Sequence, residues 1–170
     1  MSDARAGEIV TAARALLEGH GREALSMRRI ADELGIKAPS IYKHFPDKAA
    51  IESAIVADGM REWGDALRSG QTLREIAAHH RAFAHAHPAL YELMTDSPLD
   101  RSRLPEGLEA QTAAPLFAAL PDRDLARAAW AAAHGMVSLE LAGRFPDGAD
   151  LDGAWAALCS ALEAAAASGA

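Results

Sequence analysis

The chain has 170 residues, half of them apolar but only 5% aromatic, with 17 Lys/Arg against 24 Asp/Glu, a net charge of −7 and one cysteine. That length accommodates one or two small domains with a substantial core, and the lone Cys159 excludes an intrachain disulfide and fits a reducing compartment. No basic start followed by an apolar signal segment is present, so the protein is expected to be cytoplasmic. The acidity does not exclude a nucleic-acid partner, because residues 1–50 hold eight Lys/Arg against seven Asp/Glu and the negative charge belongs to the remainder.

Strong helix formers dominate and no β-branched stretch alternates apolar with polar residues, so an all-α fold is expected. A first helix is predicted over about 3–18, where Ile9, Ala13, Leu16 and Leu17 form a stripe that Gly19 to Gly21 ends. Ser26 then caps a helix over 27–34 that buries Ile30, Ala31 and Leu34, and Gly35 stops it. Lys37 or Ala38 begins the next helix, with Pro39 in its first turn, where a missing N–H costs nothing. Two helices joined by so short a turn cross steeply, as in a helix-turn-helix.

The second of these helices carries suitable chemistry. Lys37, Ser40, Tyr42, Lys43 and His44 present ammonium, hydroxyl and imidazole donors to phosphate oxygens and base edges, while Ile41 and Phe45 point inward. Lys48 falls in the first turn of the following helix, where a cation opposes the helix dipole, so its placement suggests an external phosphate.

The segments Ser-Met-Arg-Arg-Ile-Ala (26–31), Leu-Gly-Ile (34–36) and Ser-Ile-Tyr-Lys-His-Phe-Pro-Asp-Lys (40–48) resemble the tetracycline-repressor (TetR) family of bacterial transcription regulators, over about residues 8–60. The resemblance implies a three-helix head at 1–47, a linking helix at 47–68 and an effector-binding and dimerisation domain at 69–170. It implies a homodimer on near-palindromic double-stranded DNA. Tyr42, Lys43, His44 and Lys48 would grip phosphates; Lys37, Ala38, Pro39 and Ser40 would approach base edges; Arg28 and Ser26 would touch backbone across the groove.

Downstream, Ile51, Ile55, Met60, Trp63 and Leu67 recur at helical spacing in the linking helix, with Asp47 as its cap. Thr72 and Glu75 form a capping box that opens a helix ending before Pro88. A short helix over 88–95 carries Leu90, Tyr91 and Met94, and 96–104 reads as a loop. Helices over 105–120, 124–145 and 151–167 complete a set of nine.

The 124–145 helix is apolar nearly all round and needs cover on more than one side. Trp130, Val137 and Phe145 are expected to face one partner, and Leu125, Met136 and Leu139 another. With the Trp155, Leu158, Leu162 and Ala165 stripe of the last helix, two such helices per chain suit a four-helix bundle across a twofold axis; they equally suit closure of the monomer core. Arg127, His134 and Glu140 interrupt the apolar run and argue against a membrane span.

His79, His80, His85 and His87 lack the spacing of three or four that lets one helix share an ion, so no metal site is expected. A glycine inside a helix, Gly135, implies close packing or a ligand, and Trp130 through Gly135 resembles the Trp…His-Gly pattern of a subgroup of TetR effector domains. A hydrogen-bonded core role for His134 is the other reading. Trp63, Phe83, His87, Tyr91, Met94, Phe117, Trp130 and His134 are the expected walls for an unidentified small-molecule effector. No nucleophile elbow, no base beside Cys159 and no glycine-rich phosphate loop is present, so neither catalysis nor a cofactor is expected. The expected function is a repressor released from its operator by an effector; the alternative is an effector-independent architectural DNA-binding protein.

Overall fold

The computed structural model describes residues 2–96 and 98–168. Among them the fold is all-helical: α1 (Ser2–His20), α2 (Met27–Glu33), α3 (Ala38–Ile41), α4 (Lys48–Arg68), α5 (Leu73–Ala86), α6 (Pro88–Thr95), α7 (Leu108–Ala119), α8 (Arg123–Leu141) and α9 (Leu151–Ser168). Two 3-10 turns, at Arg22–Ala24 and Arg101–Arg103, join them. The chain divides into two compact units, one built from Met1–Arg61 and His87–Leu108, the other from Glu62–Ala86 and Glu109–Ala170.

In the first unit the burial follows the helical stripes. Ile9, Ala13 and Leu17 of α1, Ile30 of α2, Ile41 of α3, Ile51 and Ile55 of α4 and Leu90 of α6 are withdrawn from water. Each fully buried Ile or Leu contributes about 2 kcal/mol, whereas an exposed ion pair contributes less than about 1 kcal/mol; the apolar core therefore holds the unit together. Leu34 and Phe45, expected inside, are only half-buried. Gly59 permits close approach of α6 to α4, since a Cβ there would lie 2.8 Å from Met94 Sδ and 2.9 Å from Leu90 Cδ1.

In the second unit α5 packs on α8 and α9, which also pack on each other. Leu73, Leu120, Ala126 and Ala129 form a buried cluster that Leu116, Phe117 and Leu162 extend. The capping box forms as expected: Thr72 Oγ1 accepts the Glu75 N–H at 3.2 Å, and Glu75 accepts the Thr72 N–H at 2.9 Å. Pro115 lies inside α7, so the Gln111 carbonyl one turn earlier loses its helical donor. The Arg68 guanidinium reaches that carbonyl at 3.5 Å.

Two helix ends differ from expectation. Helix α7 starts at Leu108 rather than Pro105, after Gly107 takes a positive φ of 76°. Helix α8 stops at Leu141, four residues before Phe145, because Gly143 at φ 61° lets the Arg144 N–H turn back to the Leu139 carbonyl at 2.9 Å. Phe145 therefore lies beyond the helix. Ala126, Ala129 and Val137 form the buried face of α8, while Trp130 (46% exposed) and Leu139 (45%) point away from it. Trp130 thus does not share a buried face with Val137.

Candidate nucleic-acid interface

Helices α2 and α3 make the helix-turn-helix. Ser26, extended at φ −150°, caps α2 by accepting the Arg29 N–H at 3.2 Å. Gly35, at φ 63°, ends it: the Gly35 N–H reaches the Asp32 carbonyl at 3.1 Å and the Ile36 N–H reaches Ala31 at 2.9 Å. These are the paired bonds of a Schellman stop, and only glycine takes that conformation cheaply. Lys37 is extended, Pro39 sits in the first turn of α3, and the Ser40 N–H closes on the Lys37 carbonyl at 2.8 Å. Helix α3 ends at Ile41, but the His44 and Phe45 N–H groups still bond the Ile41 carbonyl at 2.9 and 3.0 Å. A second turn is thereby held without regular helix.

Anchored by fully buried Ile41, this segment turns its polar residues outward. Lys37, Pro39, Tyr42 (54% exposed) and Lys43 are exposed, and Ala38, Ser40 and His44 are half-buried. Arg28 on α2 is exposed, with its guanidinium 4.0 Å from Asp32. Lys48 is differently placed. Its ammonium lies 3.4 Å from Glu52 and 3.4 Å from the Arg22 carbonyl, and Arg22 itself forms a two-pronged pair with Glu52 at 3.1 Å. Lys48 thus helps clamp the Arg22–Ala24 turn to α4. Asp47 accepts the Ala50 N–H at 2.7 Å, confirming it as the cap of α4.

Residues 9–55 match the model of the tetR family of bacterial regulatory proteins, and residues 73–162, over half the chain, match that of the tetracyclin repressor-like C-terminal domain. The chain belongs to the TetR family. This TetR-family protein is 30% identical to the uncharacterized HTH-type transcriptional regulator Rv0681 of Mycobacterium tuberculosis, over 82% of this chain and 71% of that one. Its fold is similar to SCO4313, at 27% identity and a TM-score of 0.78 across 95% of this chain and 96% of the other. It is also similar to BioQ, solved with its double-stranded DNA operator, at 21% identity and a TM-score of 0.63 across 94% and 98% of the two chains. The TetR-family protein is a DNA-binding transcriptional regulator, and its family comprises regulators rather than enzymes. No helix among the described residues is long and apolar enough to cross a membrane.

The eight expected effector walls of this TetR-family chain divide between the two units. His87, Tyr91 and Met94 belong to the first: His87 lies 3.3 Å from Glu18, Tyr91 is buried, and Met94 backs onto Gly59. Trp63, Phe83, Phe117, Trp130 and His134 belong to the second. There Trp63 stacks on Phe83 at 6.4 Å, Trp130 stacks on His134 at 6.0 Å, and Arg123 covers Phe117 at 5.7 Å. The Trp63 indole N–H is buried and meets no acceptor among the described residues.

His80, weighed in the sequence only as one of four histidines without metal-binding spacing, occupies the middle of this aromatic group. Its ring lies 5.5 Å from Trp63 and 6.2 Å from Trp155, and it hydrogen-bonds the Ala133 carbonyl. Burial, with His134 nearby, pushes its pKa down to about 4. A groove of about 700 Å³ also runs along α5 and α9, past Arg74, Arg81, Glu140 and Trp155, but none of the eight expected wall residues lines it. The four histidines of 79–87 go to separate partners, and no cluster able to hold a metal ion occurs among the described residues. Gly135 is not explained by close packing within the chain, because a Cβ there would meet nothing within 4 Å.

Proposed function

We propose that this regulator is a cytoplasmic homodimeric repressor that reads a near-palindromic operator and releases it when a small molecule occupies its C-terminal region. The exposed, donor-rich segment from Lys37 to His44, held by buried Ile41 behind a Schellman stop, carries the reading. Tyr42, Lys43 and His44 grip phosphates, and Lys37, Ala38, Pro39 and Ser40 approach base edges. Arg28 reaches backbone across the groove. Ser26 uses its oxygen as an acceptor in capping α2, which leaves the hydroxyl proton for a phosphate. Lys48 contacts phosphate only after loosening its hold on Glu52, so its contribution is smaller than that of Lys43.

Helices α8 and α9 form the interface between subunits, supported by exposed Trp130 and Leu139 and the open space at Gly135. Twofold pairing sets two recognition segments about one DNA turn apart. The effector lies against Trp63, Phe83, Phe117, Trp130 and His134 of the second unit. A moderately apolar compound bearing an acceptor for the Trp63 N–H suits them. If that compound prefers a state whose heads are wrongly spaced, it lowers operator affinity by the same factor by which the operator lowers its own. A thermal-shift screen followed by operator titration tests this. A stabilising compound that weakens DNA binding is expected; stabilisation by none, with undiminished binding to all duplexes, supports an architectural protein instead.

A further inference from the structure

Asp47 places a carboxylate beside the DNA-facing segment. It follows His44 by three residues, a backbone stretch of at most about 10 Å, which is the screening length at about 0.1 M salt. A negative charge so close to a phosphate contact repels the duplex unless something offsets it. The carboxylate cannot simply be dispensed with, because it caps α4 through the Ala50 N–H at 2.7 Å. That bond first, and Arg103 second, hold Asp47 below the usual carboxylate range, so it stays ionised wherever DNA binding is measured.

The offset comes from far along the chain. Arg103, in the 3-10 turn at Arg101–Arg103, extends Nη1 and Nη2 to the two Asp47 oxygens at 3.2 and 3.5 Å. Its Nε lies 3.2 Å from Asp100, whose carboxylate also accepts the Ser102 N–H at 3.1 Å and the Ser102 hydroxyl at 2.6 Å. The turn thus fixes the guanidinium from behind and aims its fork at Asp47. The other cations near the start of α4 are engaged elsewhere: Arg22 and Lys48 both serve Glu52. We propose that Arg103 is a positioning residue of the DNA interface, neutralising Asp47 at the start of α4 so that Tyr42, Lys43 and His44 meet phosphate without repulsion.

This rests on the assignment of Tyr42, Lys43 and His44 to phosphate, and the test separates the two. Wild type, Arg103→Ala, Asp47→Asn and the double variant are titrated against one duplex across a salt series. Helix content is checked by circular dichroism; asparagine is itself a good cap, so α4 keeps its start. Arg103→Ala is expected to bind about threefold to tenfold more weakly at low salt, with the deficit vanishing at high salt. Asp47→Asn binds at least as well as wild type, and adding Arg103→Ala to it costs little. Arg103→Lys restores most of the affinity. An Arg103→Ala variant that binds like wild type, or one that loses as much in the Asp47→Asn background, overturns the role of Arg103. A wild type that ignores every duplex overturns the phosphate assignment beneath it.

Discussion

Arg81 of α5 donates its Nε–H to Glu140 of α8 at 2.9 Å, and that carboxylate is only 3% exposed. His85 meets the same oxygen at 2.9 Å, and the Trp155 indole donates to the other, so Glu140 ties α5, α8 and α9 together. Burial alone would push the Glu140 pKa up, but the bonds from Trp155, His85 and Arg81 outweigh it and hold the group below its ordinary 4.5. A carboxyl depressed on folding stabilises fully above its unfolded pKa and stops doing so as pH falls through the folded value. Glu140→Gln is therefore expected to lose about 1–2 kcal/mol at neutral pH, because its bonds lose their charge while Arg81 keeps the pair with Asp152 at 2.5 Å. Urea unfolding at pH 7 and pH 3 checks this: the gap between variant and wild type should shrink at the lower pH.

His80 acts in a different window. With its pKa lowered to about 4 from 6.5, the folded protein resists the proton that the unfolded chain accepts. Stability is complete above pH 6.5 and falls as pH drops towards 4, by about 2–3 kcal/mol over that range. His80→Gln keeps a donor for the Ala133 carbonyl but cannot titrate. Its unfolding free energy should change far less than that of wild type between pH 6.5 and 4.5; parallel profiles would contradict the burial of a neutral imidazole.

Gly135→Leu separates the fold of the chain from its assembly. The added side chain meets nothing within 4 Å of its Cβ and replaces a poor helix former, so the subunit should stay folded. Across the proposed α8–α9 interface the same side chain blocks a partner helix. Sedimentation velocity is expected to give a monomer for the variant and a dimer for wild type. A dimeric variant would move the interface off this face.

At the interface with DNA, Lys43→Ala should weaken binding to all duplexes alike and reduce the slope of log affinity against log salt by about 1. Lys48→Ala should change that slope less, because its ammonium is already spoken for by Glu52 and the Arg22 carbonyl. Fluorescence anisotropy over a salt series measures both; a larger slope change for Lys48 would reverse their order.

Local signals in the chain foretold the local structure well. Ser26, Gly35, Pro39 and the Thr72–Glu75 box each act within a few residues, so their bonds are implied by spacing alone. Longer-range relations were not readable in this way. Glu140 was visible as an interruption in an apolar run, yet its donors come from 55 and 59 residues upstream and 15 downstream. Arg103 sits in a segment that reads only as a loop, 56 residues from the Asp47 it serves. Gly143 ended α8 early because a positive-φ stop overrides an apolar pattern that runs on to Phe145. Seven of the eight expected effector walls are aromatic or imidazole and the eighth, Met94, is a thioether, a character that says nothing about the unit each helix joins.

Selection of ligand-free protein on a random duplex library at low salt bears most directly on the DNA-reading segment from Lys37 to His44. Enriched sequences should converge on a near-palindrome with half-sites about one helical turn apart, and Ser40→Ala should relax preference within each half-site while leaving their spacing unchanged. Recovery of sequences with no shared half-site, bound equally well by a variant carrying Tyr42→Ala and Lys43→Ala, would contradict it.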